Sequence, residues 1–118
     1  MRLLCAAALT SIITAAWVSP TLEAGQPAPG DLTRSVPAVI CQVFGPRYCG
    51  EAKRVAWCES RWSTTAQNGQ YLGIFQMGSW ERRTYGHGSG AWAQSRAALR
   101  YFRASGRDWS PWSCRWAA

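Results

Sequence analysis

The sequence predicts a mainly α-helical domain with about four helices around a cleft, at most one short β-hairpin, and two disulfides. Apolar residues recur at helical spacing in several segments, and glycine and proline residues separate those segments. Four cysteines follow residue 40, which predicts two covalent cross-links. With 118 residues the chain is long enough for one domain at most. That size excludes a Rossmann enzyme, a TIM barrel and any large cofactor cleft.

Capping residues and turn signals divide the chain into four expected helices, over residues 35–45, about 50–61, 73–85 and 91–104. Gly45-Pro46 is expected to end the first helix, and the third is expected to begin near Gly73-Ile74. Between the second and third helices, Asn68-Gly69 is a tight-turn signal that predicts a small hairpin.

The first 24 residues are predicted to be a secretory signal peptide. Met1-Arg2 supplies a positive start, and an uncharged, mostly apolar stretch then runs to Val18. That stretch is shorter than the roughly 20 apolar residues that span a bilayer, which argues against a membrane anchor. Cleavage is expected after Ala24, with residues 25–34 as a Pro/Gly-rich lead-in and residues 35–118 as the domain.

The charge balance restricts the partners more than the fold. Thirteen basic and six acidic residues give a net charge of +7. Nucleic acid, an anionic membrane and an anionic cell-wall polymer all attract such a chain. Apart from charge, no motif of a nucleic-acid-reading element is present, so binding to nucleic acid is not expected.

Removal of the signal peptide takes away Cys5 and leaves an even number of cysteines: Cys41, Cys49, Cys58 and Cys114. Four cysteines allow three pairings. We favour Cys41–Cys49 with Cys58–Cys114, because the second bond ties the end of the chain to its middle. A zinc site is not expected, since the chain has no CxxC spacing and one histidine, His87.

Glu59 is the residue that stands out chemically. It follows Ala52, Val55 and Ala56 at helical spacing, so its side chain is expected on the face that packs inward. Burial raises the pKa of a carboxyl, and an acid that stays protonated near neutral pH is what a general acid requires. The alternative is a carboxylate at the rim of that face, paired with an arginine such as Arg61 or Arg82.

A second catalytic carboxyl is not evident from the sequence. Glu51 lies in the first turn of the expected second helix, where it suits the helix dipole, and Glu81 is expected to pair with neighbouring arginines. No acidic residue lies between Ser60 and Trp80. Any chemistry is therefore expected to rely on one carboxyl.

Two stretches carry a resemblance to a known group of proteins: Val55-Ala-Trp-Cys-Glu-Ser60 and Asn68-Gly-Gln-Tyr-Leu-Gly-Ile-Phe-Gln-Met77. Together with the ending Trp112-Ser-Cys114, they resemble the lysozyme-like superfamily, and most closely lytic transglycosylases and wall hydrolases of the resuscitation-promoting-factor type. The resemblance spans about residues 36–116 and implies a lysozyme-like α+β fold.

The resemblance implies a secreted enzyme that cleaves peptidoglycan glycan strands between N-acetylmuramic acid and N-acetylglucosamine, as a monomer without a cofactor or metal. It makes Glu59 the catalytic acid and supports the Cys58–Cys114 bond. Gln76 and Tyr71 are implied sugar contacts. Asn68 and Trp80 are further candidates for the cleft, although a turn role and a core role explain them equally well. Animal lysozymes have an aspartate where this chain has Tyr71, so the resemblance implies a route with a single acid.

Two other classes of function remain open from the sequence. One is a wall-binding module without catalysis, which needs the same aromatic groove. The other is a cationic antimicrobial or membrane-active protein, which the positive charge and the eight tryptophans suggest.

Overall fold

The computed structural model describes residues 34–118, and within them the chain is mainly helical, as predicted. Its elements are α1 (Val36–Ser60), β1 (Gln67–Asn68), β2 (Tyr71–Leu72), α2 (Ser79–Tyr85), α3 (Ala91–Ala104) and a C-terminal 3₁₀ helix (Arg115–Ala117). The two strands form the expected antiparallel hairpin, with Asn68 opposite Tyr71. The favoured pairing of cysteines is confirmed, since Cys41 bonds to Cys49 and Cys58 to Cys114. The predicted signal peptide and residues 25–33 of the lead-in lie outside the described residues.

The prediction of four separate helices was wrong by one, because the two helical segments that meet at Gly45-Pro46 form one kinked helix, α1. Gly45 has φ 77° and ψ 171°, which kinks α1 without introducing a loop. Glycine reaches this conformation at no steric cost, and proline is tolerated in the first turn of the segment that follows. The Cys41–Cys49 disulfide bridges the kink, with the two Cα atoms 4.3 Å apart.

The prediction that a helix begins at Gly73 was also wrong, because α2 begins at Ser79. Residues 73–77 form a loop in which Gly73 has φ 76° and Gln76 has φ 46°. Leu72 and Met77 exchange two backbone hydrogen bonds of 3.1 Å across it. The apolar residues that suggested a helix are buried by the loop itself, which packs Ile74, Phe75 and Met77 into the core.

The core is rich in aromatic rings and lies between α1, α3 and the C-terminal tail. Phe44 of α1 contacts Phe75, Phe102 and Trp109, with ring centroids 5.5–5.9 Å apart. The indole N–H of Trp109 donates to Glu51 at 2.9 Å, so a buried polar group is satisfied. The tail is thus packed on the core and covalently joined to the end of α1 by Cys58–Cys114.

Candidate active site

Glu59 lies in the last turn of α1, at the point where the chain turns away from the helix. Ala52, Val55 and Ala56 are fully buried on the inward face, and Glu59 follows them half-buried. Arg61 and Trp62 then adopt left-handed φ values of 55° and 62°. Such a conformation is costly for residues other than glycine and often marks functional sites. α1 therefore ends directly after Glu59, and the chain changes direction at Arg61 and Trp62.

The C-terminal tail supplies the direct partner of this carboxyl. The backbone N–H of Cys114 donates to Glu59 Oε1 at 2.9 Å. Burial raises the pKa of Glu59 above its ordinary value of 4.5, while the backbone N–H groups of Cys114 and Ser113 act in the opposite direction. Burial is the larger of these effects, so the pKa of Glu59 lies above its ordinary value, and the hydrogen bond from Cys114 fixes the orientation of the carboxyl. No described arginine forms an ion pair with Glu59.

Ser60 joins the end of α1 to the loop of residues 73–77. Its hydroxyl lies 2.7 Å from the carbonyl oxygen of Ile74 and 3.2 Å from that of Ala56. A serine directly after Glu59 therefore attaches this loop beside the acid.

Gln94 of α3 supports the same loop, and sequence reasoning missed it. This buried amide accepts a hydrogen bond from the Ile74 N–H and donates to the carbonyl oxygens of Thr64 and Gly88, all at 2.8–2.9 Å. A β-carbon at Gly73 would collide with it, which is why glycine fits there. Its spacing in the sequence could have indicated a buried side chain, since Gln94 precedes the buried residues Ala98 and Phe102 by four and eight residues and so lies on the same helix face.

The hairpin carries Asn68 and Tyr71 next to each other at one side of the cleft. Its tip is attached to α2, where the Ser79 hydroxyl donates to Gln70 Oε1 at 2.9 Å and the Arg82 guanidinium donates to the Gln70 carbonyl. Both Asn68 and Tyr71 are exposed. The hairpin therefore presents two polar side chains from a fixed position.

Gln76 is held by its own amide group. Its Nε2 donates to the carbonyl oxygens of Gly73 at 3.0 Å and Ala66 at 3.2 Å. Both amide hydrogens are thus used, and within the described residues Oε1 has no hydrogen-bond donor. Gln76 can offer a ligand one acceptor.

These side chains meet in one cleft. Glu59, Asn68, Tyr71 and Gln76 line it, and the remaining lining comes from Met77, Gly78, Glu81, Tyr101 and the tail residues 111–113. Trp80 does not line the cleft. Its indole is 55% exposed on α2 and meets Tyr85 edge-on. Four of the five side chains singled out from the sequence therefore come together.

Glu81 is a second carboxylate in the cleft, where the sequence suggested a residue paired with arginine. Within residues 34–118 it forms no ion pair. Its carboxylate packs against Gly78, where a β-carbon would collide with it. Burial raises the pKa of the nearby Tyr101 hydroxyl, and the negative charge of Glu81 adds to that increase. The reason it was missed is that its orientation depends on the start of α2 at Ser79.

Comparisons of the chain with protein-family models, curated proteins and solved structures found no match. Within the described residues, no group of three His, Cys, Asp or Glu side chains is arranged to hold a metal ion. The same part of the chain contains no helix long and apolar enough to cross a membrane.

Proposed function

We propose that this protein is a secreted glycosidase that cleaves peptidoglycan at the β-1,4 bond between N-acetylmuramic acid and N-acetylglucosamine. The observation that carries the proposal is the Glu59 carboxyl, which is half-buried in the cleft with a raised pKa. The lysozyme-like order of Cys58-Glu59-Ser60, Gly73-x-x-Gln76 and Cys114 in the sequence agrees with it. A half-buried acid that is fixed by a backbone hydrogen bond and lies beside exposed polar side chains suits the cleavage of a glycosidic bond.

In the proposed reaction, Glu59 gives its proton to the glycosidic oxygen as the bond from that oxygen to C1 of N-acetylmuramic acid breaks. The acetamido oxygen of the same sugar stabilises the electron-poor C1. The Glu59 carboxylate then takes a proton from the incoming hydroxyl as its oxygen bonds to C1, which restores the acid. Water as the incoming group gives a reducing end, and the sugar's own 6-hydroxyl gives a 1,6-anhydro product.

The hydrogen bond from Cys114 suits both halves of this cycle. It holds Oε1 in place while the proton resides on Oε2, and it stabilises the carboxylate that forms after proton transfer. We assign sugar contacts to Tyr71, Asn68 and the free Oε1 of Gln76, all of which line the cleft. We assign no sugar contact to Trp80, because it does not line the cleft.

Glu81 offers a route with two carboxyls, which this proposal does not use. A retaining glycosidase needs its carboxyls about 5 Å apart, and an inverting one needs them roughly 6.5–9.5 Å apart. The carboxylate of Glu81 packs against the backbone at Gly78 and acts electrostatically on Tyr101. We therefore give it a role in shaping the cleft, and leave the catalytic steps to Glu59 and the substrate.

Export fits the chemistry of the chain. Two disulfides in a small domain are typical of proteins that fold in an oxidising compartment. A net charge of +7 attracts the carboxylates and phosphates of bacterial walls, and this attraction weakens as salt rises.

The test is the clearing of purified wall sacculi by the wild-type protein and by the Glu59→Gln variant. Glutamine keeps the shape and an acceptor for the Cys114 N–H, but its amide has no acidic proton to transfer. We expect a rate about 10²–10⁴-fold lower, as for removal of a general acid. Glu51→Gln is the matched control, because Glu51 lies on the same helix but accepts from Trp109 outside the cleft. It should clear sacculi at close to the wild-type rate.

Mass spectrometry of the released fragments then identifies the incoming group, since anhydro products are one water lighter than hydrolysed ones. Equal clearing by wild type and Glu59→Gln would contradict the proposal. Binding to sacculi without release of fragments would indicate a wall-binding module, and lysis of lipid vesicles would indicate a membrane-active protein.

A further inference from the structure

A second groove adjoins the Cys58–Cys114 disulfide and is separate from the cleft. Cys58 lines this groove, whereas its neighbour Glu59 lines the cleft. The C-terminal tail also contributes to both sites, because Trp112 lines the cleft and Trp116 lines the groove. We call it the tryptophan groove, and its defining residues are Lys53, Arg54, Trp57, Trp62, Trp116 and Ala117.

A large aromatic surface is exposed to solvent in the tryptophan groove and is not part of the hydrophobic core. Trp57 is 43% exposed and Trp116 is 78% exposed, whereas the core tryptophans Trp109 and Trp112 are buried. Contiguous exposed apolar surface of this kind commonly marks a binding site. Trp62 is partly buried, meets Trp57 at 62° with ring centroids 4.7 Å apart, and forms an angled wall beside it.

The groove is held in a fixed shape. The indole N–H of Trp62 donates to the Lys53 carbonyl at 2.9 Å. Arg54 Nε donates to the Ala117 carbonyl at 2.9 Å, which fixes the residue next to Trp116. The Cys58–Cys114 disulfide anchors the same tail two residues earlier than Trp116. A site that is ordered before binding loses less entropy when it binds a ligand.

The charge of the groove is wholly positive. Lys53 and Arg54 line it, and the Arg61 guanidinium lies 5.0 Å from the Trp57 ring centroid. No carboxylate lines the groove, and within the described residues neither Lys53 nor Arg61 forms an ion pair. The complementary ligand is therefore anionic and carries flat apolar faces that pack on indole rings.

We propose that the tryptophan groove is a second, non-catalytic binding site for the peptidoglycan glycan strand. The C–H face of a pyranose ring is slightly positive and packs on the negative face of an indole. Carboxylates of the stem peptides, or of lactyl groups that carry no peptide, then meet Lys53 and Arg61. This choice of polymer rests on the proposed function, but the binding itself does not require that Glu59 be catalytic.

The shape of the site favours a polymer over a lipid surface. A helix that binds a membrane surface buries one continuous apolar face in the lipid interface. Here Trp57 and Trp62 meet at an angle within a groove, and the indole N–H of Trp62 is already used by the backbone. A strand that lies along the groove contacts these rings and Trp116 together.

The experiment measures sedimentation of the protein with insoluble sacculi at increasing sacculus concentration. All proteins carry Glu59→Gln, so that the sacculi are not digested. Addition of Trp116→Ala should raise the Kd about tenfold, equal to about 1.4 kcal/mol, while Trp116→Phe should keep most of the affinity. Because Trp116 is 78% exposed, neither change should alter the thermal unfolding midpoint, which checks that the variants are folded.

Lys53→Gln tests the charge, with Arg103→Gln as a control that removes the same charge from the exposed side of α3. We expect Lys53→Gln to weaken binding more than Arg103→Gln and to make it less sensitive to salt. Unchanged sacculus binding by Trp116→Ala would overturn the proposal. Binding to phosphatidylglycerol vesicles is measured in parallel. If Trp116→Ala weakened binding to these vesicles but not to sacculi, the proposal would also be overturned, because the groove would then be a lipid site. The turbidity of the sacculi is followed during the assay, so that residual clearing by Glu59→Gln, a failure of the proposed function, is distinguished from a failure of the groove to bind.

Discussion

Removal of the Cys58–Cys114 disulfide is expected to cost both stability and activity, whereas removal of Cys41–Cys49 is expected to cost mainly stability. The perturbation is the double substitution Cys58→Ala/Cys114→Ala, compared with Cys41→Ala/Cys49→Ala. The chain therefore provides its own matched control, with the same chemical change at two places.

The magnitude follows from the lengths of the loops that the bonds close. Cys58 and Cys114 are 56 residues apart and Cys41 and Cys49 are 8 apart. In the chain-entropy model the long loop contributes about 4 kcal/mol to the free energy of unfolding and the short loop about 2.5 kcal/mol. Domains of this size are stable by only about 5–10 kcal/mol, so the loss of the Cys58–Cys114 bond removes a large part of that stability.

The effect on activity follows from the contacts of the tail. Cys114 donates its N–H to Glu59, and residues 111–113 line the cleft. Without the disulfide, the tail is retained only by non-covalent contacts, among them the hydrogen bonds from the indoles of Trp109 and Trp112 to Glu51 and the Phe75 carbonyl and the bond from Arg54 to the Ala117 carbonyl. Small displacements of a catalytic group reduce rates strongly, so we expect at least about a tenfold loss of sacculus clearing.

Urea unfolding followed by circular dichroism measures the first effect, and clearing normalised to the folded fraction measures the second. Equal destabilisation by the two double variants would refute the loop argument. Full clearing by folded Cys58→Ala/Cys114→Ala would refute the role of the tail in positioning Glu59.

Three further predictions concern the cleft and its support. Gly73→Ala should lower the free energy of unfolding by about 1–3 kcal/mol, and Gly69→Ala should lower it by less. Both glycines have positive φ, but only at Gly73 would a β-carbon collide with a neighbour, the Gln94 side chain. Urea titration of both variants measures the difference, and equal losses would remove Gln94 from the explanation. The contribution of Glu59 to the free energy of unfolding should fall as pH rises from about 4.5 through its raised pKa, because the folded protein retains a proton that the unfolded chain has lost, whereas the lowered pKa of His87 acts in the opposite direction below pH 6.5. In urea titrations at a series of pH values, Glu59→Gln should lack this decline. Clearing by the wild type should fall on the alkaline side of the same pKa. Identical stability profiles of the two proteins would mean that Glu59 titrates normally. Glu81→Gln should slow clearing by less than about tenfold under the single-acid route, whereas a loss of 10²-fold or more would make Glu81 a second catalytic carboxyl.

The local sequence was a reliable guide where one element decides the outcome. α3 occupies Ala91–Ala104 as expected, because its apolar residues have helical spacing and glycines flank it. Asn68-Gly69 predicted the hairpin, although the turn itself is centred on Gly69 and Gln70. The inward position of Glu59 followed from Ala52, Val55 and Ala56 within the same helix.

The errors arose where a segment depends on partners that are distant in sequence. Residues 73–77 have the composition of a helix, but Gln94 takes the Ile74 N–H and Met77 bonds back to Leu72. Glu81 was expected to pair with arginine, but the later start of α2 brings it to the cleft beside Tyr101.

The sequence by itself determined the helical class, the cysteines available for pairing and the one carboxyl placed on a buried helix face. The number of cysteines is read from the sequence, and the other two properties depend on residue spacing over one or two helical turns. Only the tertiary structure decided that Cys114 donates to Glu59, that Gln94 supports the loop beside it, and that Trp57, Trp62 and Trp116 form one groove. Each of these depends on residues far apart in the chain, and their meeting is fixed by packing of the whole core and not by local spacing.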